Sequence, residues 1–202
     1  MWQHYNSFAD YCGTDQYQQW LETWQPPSQW PVDQWIDSEA EQWQWTPRQH
    51  GLTRWSTRLL HHLVDSVDVG AHRTVDIGCG ENLLAQVYDT VTGVDPRFAA
   101  DEQLTDQWWH TNQGQWPRAI AVNSMHFVSD VKHIADQLKR VQSVLTDQGQ
   151  AMVTLNRHMI PNSDQLWHMV PLWQGISRAV WIDQPANAPV DGNVWLWLRS
   201  VA

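Results

Sequence analysis

The sequence predicts an α/β fold, a three-layer α/β/α sandwich around a mainly parallel sheet, with an N-terminal helical cap. Three observations predict it. Short β-rich runs alternate with helical patterns between residues 73 and 156, which is typical of βαβ units. The first run ends in glycines, at Gly78 and Gly80. The last run, residues 193–199, is apolar on both faces, which indicates a strand inside the sheet.

Length and charge exclude several classes of protein. The chain has 202 residues and a formal net charge of -10, with 12 basic and 22 acidic residues, which suits one domain with a small appendage. Nucleic acid is not an expected partner, because phosphates are neutralised by Lys and Arg, and lysine occurs only at Lys132 and Lys139. No run approaches the length of a membrane span and no secretory start is visible, so we expect a cytoplasmic protein without a membrane segment.

Residues 1–47 are predicted to form a Trp/Gln-rich, acidic helical cap on a domain formed by residues 48–202. Seven of the 16 tryptophans lie in this cap, where short helices broken at Pro26-Pro27 and at Pro31 are expected. The cap could instead bind a partner, but packing on the main domain is favoured because its aromatic side chains need cover. Many tryptophans of the chain are expected to lie half-exposed or in small peripheral clusters rather than in one tight core, since a buried indole N–H needs an acceptor.

The main domain reads as helices and strands in alternation. The predicted strands are residues 73–80 with their terminal glycines, 91–95, 118–124, 151–156, 179–183 and 193–199. The predicted helices run from Thr46 to Gly70, from Asp130 along Ile134, Leu138, Val141 and Leu145, and from Ser163 to Gln174. A turn is expected at Asp147–Gly149, before the fourth of these strands. No helix fits between the last two strands, so they are expected to pair antiparallel.

The segment Val75–Asn82 and the carboxylate that follows it carry the functional signal. Gly78 and Gly80 allow a tight turn and the close approach of a ligand. A helix is expected to begin at about Asn82, with free N–H groups at its start. Asp95 lies 19 residues after Asp76, at the end of the next strand, where a carboxylate can accept both hydroxyls of a ribose. The pattern indicates a nucleoside-binding βαβ unit.

Two details argue against a dinucleotide. The third glycine of the G-x-G-x-x-G fingerprint would fall at Leu83, and Asp76 and Glu81 flank the turn where they would repel a diphosphate. A ligand with an amino group and a positive charge fits better. S-adenosylmethionine, which has an ammonium and a sulfonium, meets that description.

The runs VDIGCGEN, VTGVDP and IAVNSMHFV resemble those of class I S-adenosylmethionine-dependent methyltransferases, over roughly residues 48–200. The resemblance implies a Rossmann-like, seven-stranded sheet of order 3-2-1-4-5-7-6 with strand 7 antiparallel. It also implies S-adenosylmethionine as the cofactor. The positions that it assigns to the cofactor are Asp76, Gly78, Cys79 and Gly80 for the methionine moiety, Asn82 for capping the next helix, Asp95 with Pro96 for the ribose, Asp106 with a stacking Trp108 for the adenine, and Asn123 and Ser124 for the border with the substrate.

The substrate is not identified by any motif. We expect a small molecule, cationic or neutral, or alternatively a protein side chain. His126 follows the predicted strand at residues 118–124 and could accept a proton from a hydroxyl or thiol substrate, although a structural histidine is the more common interpretation. His61-His62 predict no metal site, because adjacent histidines on a helix face different ways. A non-catalytic methyltransferase-like scaffold and a nicotinamide-dependent oxidoreductase remain alternatives, and the absent third glycine counts against the latter.

Overall fold

The chain is represented by a computed structural model. It describes residues 2–5, 15, 67–79, 82, 84–86, 88–96, 100–122, 124–125, 130–156, 160–182 and 193–201.

The described strands form one mixed sheet. They are β1 Trp2–Tyr5, β2 Thr74–Ile77, β3 Val91–Asp95, β4 Glu102–Gln103, β5 Trp116–Val122, β6 Leu145–Asn156, β7 Ile176–Ile182 and β8 Asn193–Arg199. Their order is β1-β7-β8-β6-β5-β2-β3-β4. Without β1, and counted from β2 as strand 1, the order read from β4 to β7 is the predicted 3-2-1-4-5-7-6. β8, which is strand 7 in this count, is antiparallel to both of its neighbours, so the predicted sheet is confirmed.

An eighth described strand was not expected from the sequence. β1 pairs in parallel with β7, from Trp2 opposite Ala179 to Tyr5 opposite Ile182. The helical interpretation of the N-terminal segment is therefore wrong for residues 2–5, because pairing with a distant strand outweighs the local pattern. Asp15 is helical and exposed, and the rest of the predicted cap, with its boundary at residue 47, lies outside the described residues.

The last strand lies between β6 and β7, as its apolar faces predicted. Val194, Leu196 and Leu198 pack into the main core on one side of the sheet. Trp195 and Trp197 project from the other side and are also buried. A strand that buries both faces needs neighbours on both edges and cover on both sides, which explains the near-continuous apolar run.

Three described α-helices and four 3₁₀ turns accompany the sheet. The helices are α1 Asp106–Thr111, α2 Ile134–Ser143 and α3 Leu166–Met169. The 3₁₀ turns are Leu84–Gln86, Val131–His133, Ser163–Gln165 and Val170–Leu172. Asp130 starts the predicted helical region, and its carboxylate accepts the N–H of Lys132 at 3.0 Å. Across the described residues, no helix has the length and apolar character needed to span a membrane.

Two predicted boundaries near α2 are corrected. Leu145 begins β6 instead of ending the helix, although it is buried as the apolar stripe required. The expected turn at Asp147–Gly149 lies inside β6. It appears there as a register shift, because Trp116 pairs with Leu145 whereas Arg118 pairs with Gln150.

The tryptophans are more deeply buried than expected. Five of those in the described part of the chain are only 4–8% exposed, namely Trp108, Trp116, Trp173, Trp195 and Trp197. The indole N–H groups of Trp108 and Trp116 reach acceptors, Glu102 at 2.5 Å and Asn112 at 3.1 Å. Those of Trp173 and Trp195 are buried without an acceptor in the structure described. The expectation of half-exposed tryptophans is therefore wrong for these five residues.

Candidate functional site

The candidate site lies where β2 stands between β3 and β5. The chain crosses from β2 to β3 on one side, and β5 pairs with β2 on the other. Such a reversal of strand order opens a crevice at the carboxyl ends of the strands, where ligands bind in open α/β sheets. The glycine turn follows β2 directly, so the predicted ligand-binding segment lies at this crevice.

Two buried carboxylates project from one face of the sheet at this point. Asp76 pairs in register with Gly93 on β3, and Asp95 lies two residues beyond Gly93. Because side chains alternate along a strand, Asp76 and Asp95 point to the same side. They are 5% and 6% exposed. Two buried carboxylates at one crevice make this end of the sheet acidic.

The turn after β2 has a conformation that requires glycine. Gly78 has a φ of 73°, and its N–H donates to the carbonyl of Val94 at 2.7 Å. Ser124, which follows β5, donates its hydroxyl to the carbonyl of Ile77 at 2.6 Å. A Cβ at Gly78 would collide with the Ser124 side chain, whose Oγ would lie only 2.9 Å away. Gly78 and Ser124, both predicted site residues, are therefore in contact with each other.

Asn82 does not cap a helix, contrary to the prediction. An N-cap residue has an extended backbone, whereas Asn82 has a φ of 57° and belongs to a turn. The next element among the described residues is the 3₁₀ turn Leu84–Gln86 and not an α-helix. Asparagine tolerates the left-handed region, which suits this position. The prediction of a helix N-terminus at Asn82 that offers free N–H groups is therefore wrong.

The Asn82 side chain instead packs over β3. A Cβ at Gly93 would collide with the Asn82 amide and would lie 2.8 Å from Sγ of Cys79. The Asn82 amide oxygen is buried and has no donor within the described part of the chain. Gly93 is therefore needed so that the turn can lie close against β3, a constraint that the sequence analysis did not recognise.

The electrostatic environment of the turn is negative. Burial raises the pKa of the Cys79 thiol, and the charges of Asp76, Asp95 and Asp101 raise that pKa further. The thiol is therefore protonated at neutral pH and is a poor nucleophile. The same potential that suppresses the thiolate would attract a cationic ligand.

Two acidic residues beside the site were missed. Asp101 accepts the N–H of Gly93 on its Oδ2 at 2.8 Å, and Glu102 accepts the indole N–H of Trp108. Glu102 belongs to β4, a strand of two residues, and Asp101 immediately precedes it. A strand this short leaves no periodic signal in the sequence, so no pattern could have assigned these partners.

The predicted adenine-binding residues are only partly placed. Asp106 is the first residue of α1, with its side chain 89% exposed and its carboxylate 3.8 Å from Nη1 of Arg140. Its contact with adenine stays a prediction. Trp108 lies in the hydrophobic core, so its predicted role as a stacking surface is wrong. Trp109 beside it is half-buried. Pro96 is exposed and directly follows Asp95.

Three predicted site residues, Gly80, Asn123 and His126, lie outside the described residues. The proton-acceptor role of His126 therefore stays a prediction. Over the ranges that the structure describes, His, Cys, Asp and Glu side chains form no group of three or more that could hold a metal ion.

A separate cavity of about 420 Å³ lies between α2 and residues 172–174 and 201. Two of its lining residues, Gln174 just before β7 and Val201 just after the antiparallel β8, place it at the amino edge of the parallel strands. Leu172 and Val201 on its rim are 71% and 46% exposed. The cavity contains none of the predicted site residues and is not part of the candidate site.

Comparison with known proteins identifies similar structures. No protein-family model matches the chain, and no curated protein matches it. Among solved structures, the N-methyltransferase NodS from Bradyrhizobium japonicum WM9 in complex with S-adenosylhomocysteine is 11% identical, with a TM-score of 0.55. The match covers 78% of this chain and 92% of NodS.

Two further structures have a comparable likeness. The PH0226 protein from Pyrococcus horikoshii OT3 is 11% identical with a TM-score of 0.52, over 80% of this chain and 99% of its own. The [4+2]-cyclase SpnF is 15% identical with a TM-score of 0.51, over 72% of this chain and 81% of its own. The chain spans about half the length of other solved structures that it matches, from 45% to 52%. The likenesses to NodS, PH0226 and SpnF show the fold alone, which is the Rossmann-like methyltransferase fold.

Proposed function

We propose that this chain binds S-adenosylmethionine and transfers its methyl group to a small molecule. The observation that carries the proposal is the buried Asp95 at the end of β3, on the same face as the buried Asp76 and beside the Gly78 turn. A buried carboxylate at this position of a βαβ unit is suited to the two hydroxyls of a ribose. The complex of NodS with S-adenosylhomocysteine supports the choice of cofactor, because the two chains share their fold.

The chemistry of the side chains fits this cofactor better than a diphosphate. Asp76, Asp95 and Asp101 all act electrostatically on Cys79 in the turn. A diphosphate would be repelled by three carboxylates, whereas an ammonium and a sulfonium would be attracted. Gly78 has no Cβ, which lets the turn pack directly against the Ser124 side chain at this crevice.

Each residue has a defined task in this proposal. Asp95 accepts the ribose hydroxyls, and Asp76 holds the amino group directly or through a water molecule. The bound cofactor supplies a methyl group on a sulfonium sulfur. Methyl transfer is an in-line displacement that depends mainly on positioning, so an acid or base residue is not obligatory for every substrate. His126 is the candidate acceptor where the substrate must lose a proton from a hydroxyl or thiol.

The substrate class follows from charge rather than from a motif. We favour a small molecule, and a positive charge on it would suit a site with several carboxylates and a chain of net charge -10. A protein side chain is the second choice. A cytoplasmic location and the lack of nucleic-acid and membrane partners stay predictions from composition.

Isothermal titration calorimetry with S-adenosylmethionine tests the proposal directly. Asp95→Asn keeps the shape of the side chain but removes its charge, and we expect at least about tenfold weaker binding than to the wild type. Asp147→Asn, at an exposed position in β6, is the matched control and should bind like the wild type. The proposal fails if the wild type does not bind, or if Asp95→Asn binds equally well.

A second candidate is a protein of the same fold that does not transfer methyl groups, for example a binding or scaffold protein. It is favoured by the likeness to SpnF, which is described as a cyclase, because a fold does not determine the reaction that it supports. Mass spectrometry of the chain incubated with S-adenosylmethionine and a panel of amines, phenols and thiols separates the two. A methylated product would exclude the second candidate, whereas cofactor binding without any product would favour it.

A further inference from the structure

The Asp101 side chain takes the place of a strand backbone. β4 contains only Glu102 and Gln103, which pair with Val94 and Asp95 on β3. Asp101, the residue before β4, does not continue this backbone ladder. Its carboxylate Oδ2 instead accepts the N–H of Gly93 at 2.8 Å. The carboxylate therefore extends the pairing along the outer edge of β3 by one position.

This contact helps to fix the end of β3. The Asp95 carbonyl accepts the N–H of Leu104 at 3.1 Å, so the outer edge of the strand is held on both sides of Val94. The inner edge is held by the N–H of Gly78, which donates to Val94. The direction of the Asp95 carboxylate depends on this strand end, so the Asp101 contact contributes to its orientation.

Asp101 also adds charge near the turn. Together with Asp76 and Asp95 it raises the pKa of the Cys79 thiol, which shows that its field reaches the turn. The side chain is exposed, so solvent screens part of this field. One residue thus combines a geometric and an electrostatic contribution at the same place.

We propose that Asp101 is a positioning residue of the donor site, which holds the strand end bearing Asp95 and favours the cationic donor over its neutral thioether product. The inference rests on the proposed function. Its two parts can be separated, because an asparagine at position 101 retains an acceptor oxygen but has no charge, whereas an alanine has neither.

The experiment measures the dissociation constants of S-adenosylmethionine and S-adenosylhomocysteine by calorimetry. Asp101→Asn should weaken S-adenosylmethionine by about threefold more than S-adenosylhomocysteine, because only the former contains the sulfonium. Asp101→Ala should weaken S-adenosylhomocysteine by about tenfold, because the hydrogen bond to Gly93 is lost, and S-adenosylmethionine by about threefold more than that, because the charge is lost as well. Asp147→Asn is again the control, since it removes a carboxylate at an exposed position away from the turn.

Amide hydrogen exchange at Gly93, measured by NMR without ligand, provides an independent test. Exchange should be faster in Asp101→Ala than in the wild type and Asp101→Asn.

If the wild type binds neither ligand, the proposed function fails, while the exchange rates still decide whether Asp101 holds β3. If both Asp101 variants bind each ligand as tightly as the wild type does, the positioning role is overturned. An equal loss of both ligands in Asp101→Asn overturns the electrostatic part. Should Asp101→Ala not fold, the ratio of the two ligands in Asp101→Asn remains decisive.

Discussion

Replacing Gly78 by alanine should lower the free energy of unfolding by about 2–5 kcal/mol, from two separate causes. The φ of 73° at this position costs an alanine about 1–2 kcal/mol. The new Cβ would also collide with the Ser124 side chain, and overpacking of this kind costs about 1–3 kcal/mol. Because the turn would have to shift to relieve the collision, binding of the donor should weaken as well.

Urea denaturation of the wild type, Gly78→Ala, Ser124→Gly and the double variant separates the two causes. In a Ser124→Gly background the collision disappears, so Gly78→Ala should then cost only about 1–2 kcal/mol. Gly114→Ala is the matched control, because Gly114 has a similar φ of 66° but nothing within 4 Å of an added Cβ, and it should cost the same 1–2 kcal/mol. Equal midpoints for the wild type and Gly78→Ala would refute the backbone argument. The same cost in both backgrounds would refute the contact with Ser124.

Three further predictions concern stability. The pKa of the Cys79 thiol is raised in the folded state, so the unfolded chain loses this proton first and stability should fall as the pH rises above about 9. Cys79→Ala should flatten this fall when urea midpoints are measured against pH, and parallel pH profiles of the two proteins would refute the prediction. Trp116→Phe should cost about 1 kcal/mol more than Trp173→Phe, because only Trp116 loses an indole hydrogen bond, and an equal or reversed cost by denaturation would contradict this. The backbone N–H of Lys132 lowers the pKa of Asp130, so the stability advantage of the wild type over Asp130→Ala should persist at neutral pH and disappear in acid. An advantage that is independent of pH would show that the carboxylate charge is not involved.

The sheet was predictable because its signals are local. The alternation of strands and helices, the glycines after β2 and the two apolar faces of β8 each follow from a few adjacent residues. The strands that were missed or uncertain are the short ones at the sheet edges, β1 and β4. A strand of two to four residues is defined by its partner rather than by its own composition, so no single-sequence pattern reveals it.

The placement of two candidate site residues was also predictable, whereas their roles stay predictions. Glycine at a left-handed position and a carboxylate one strand later leave a clear spacing, and the structure has Gly78 and Asp95 at the expected places. Asn82 and Trp108 were misread for a common reason. The first adopts a left-handed turn and the second faces the core, and neither orientation can be read from sequence position alone. Asp101 was missed because its partner is a backbone N–H on another strand.

A crystal structure of the chain with S-adenosylhomocysteine tests the central claim most directly. The account predicts the ribose hydroxyls within hydrogen-bonding distance of the Asp95 carboxylate, and the amino acid portion of the ligand against Asp76 and the Gly78 turn. Ligand bound elsewhere, or an Asp95 carboxylate turned away from the ribose, would contradict it.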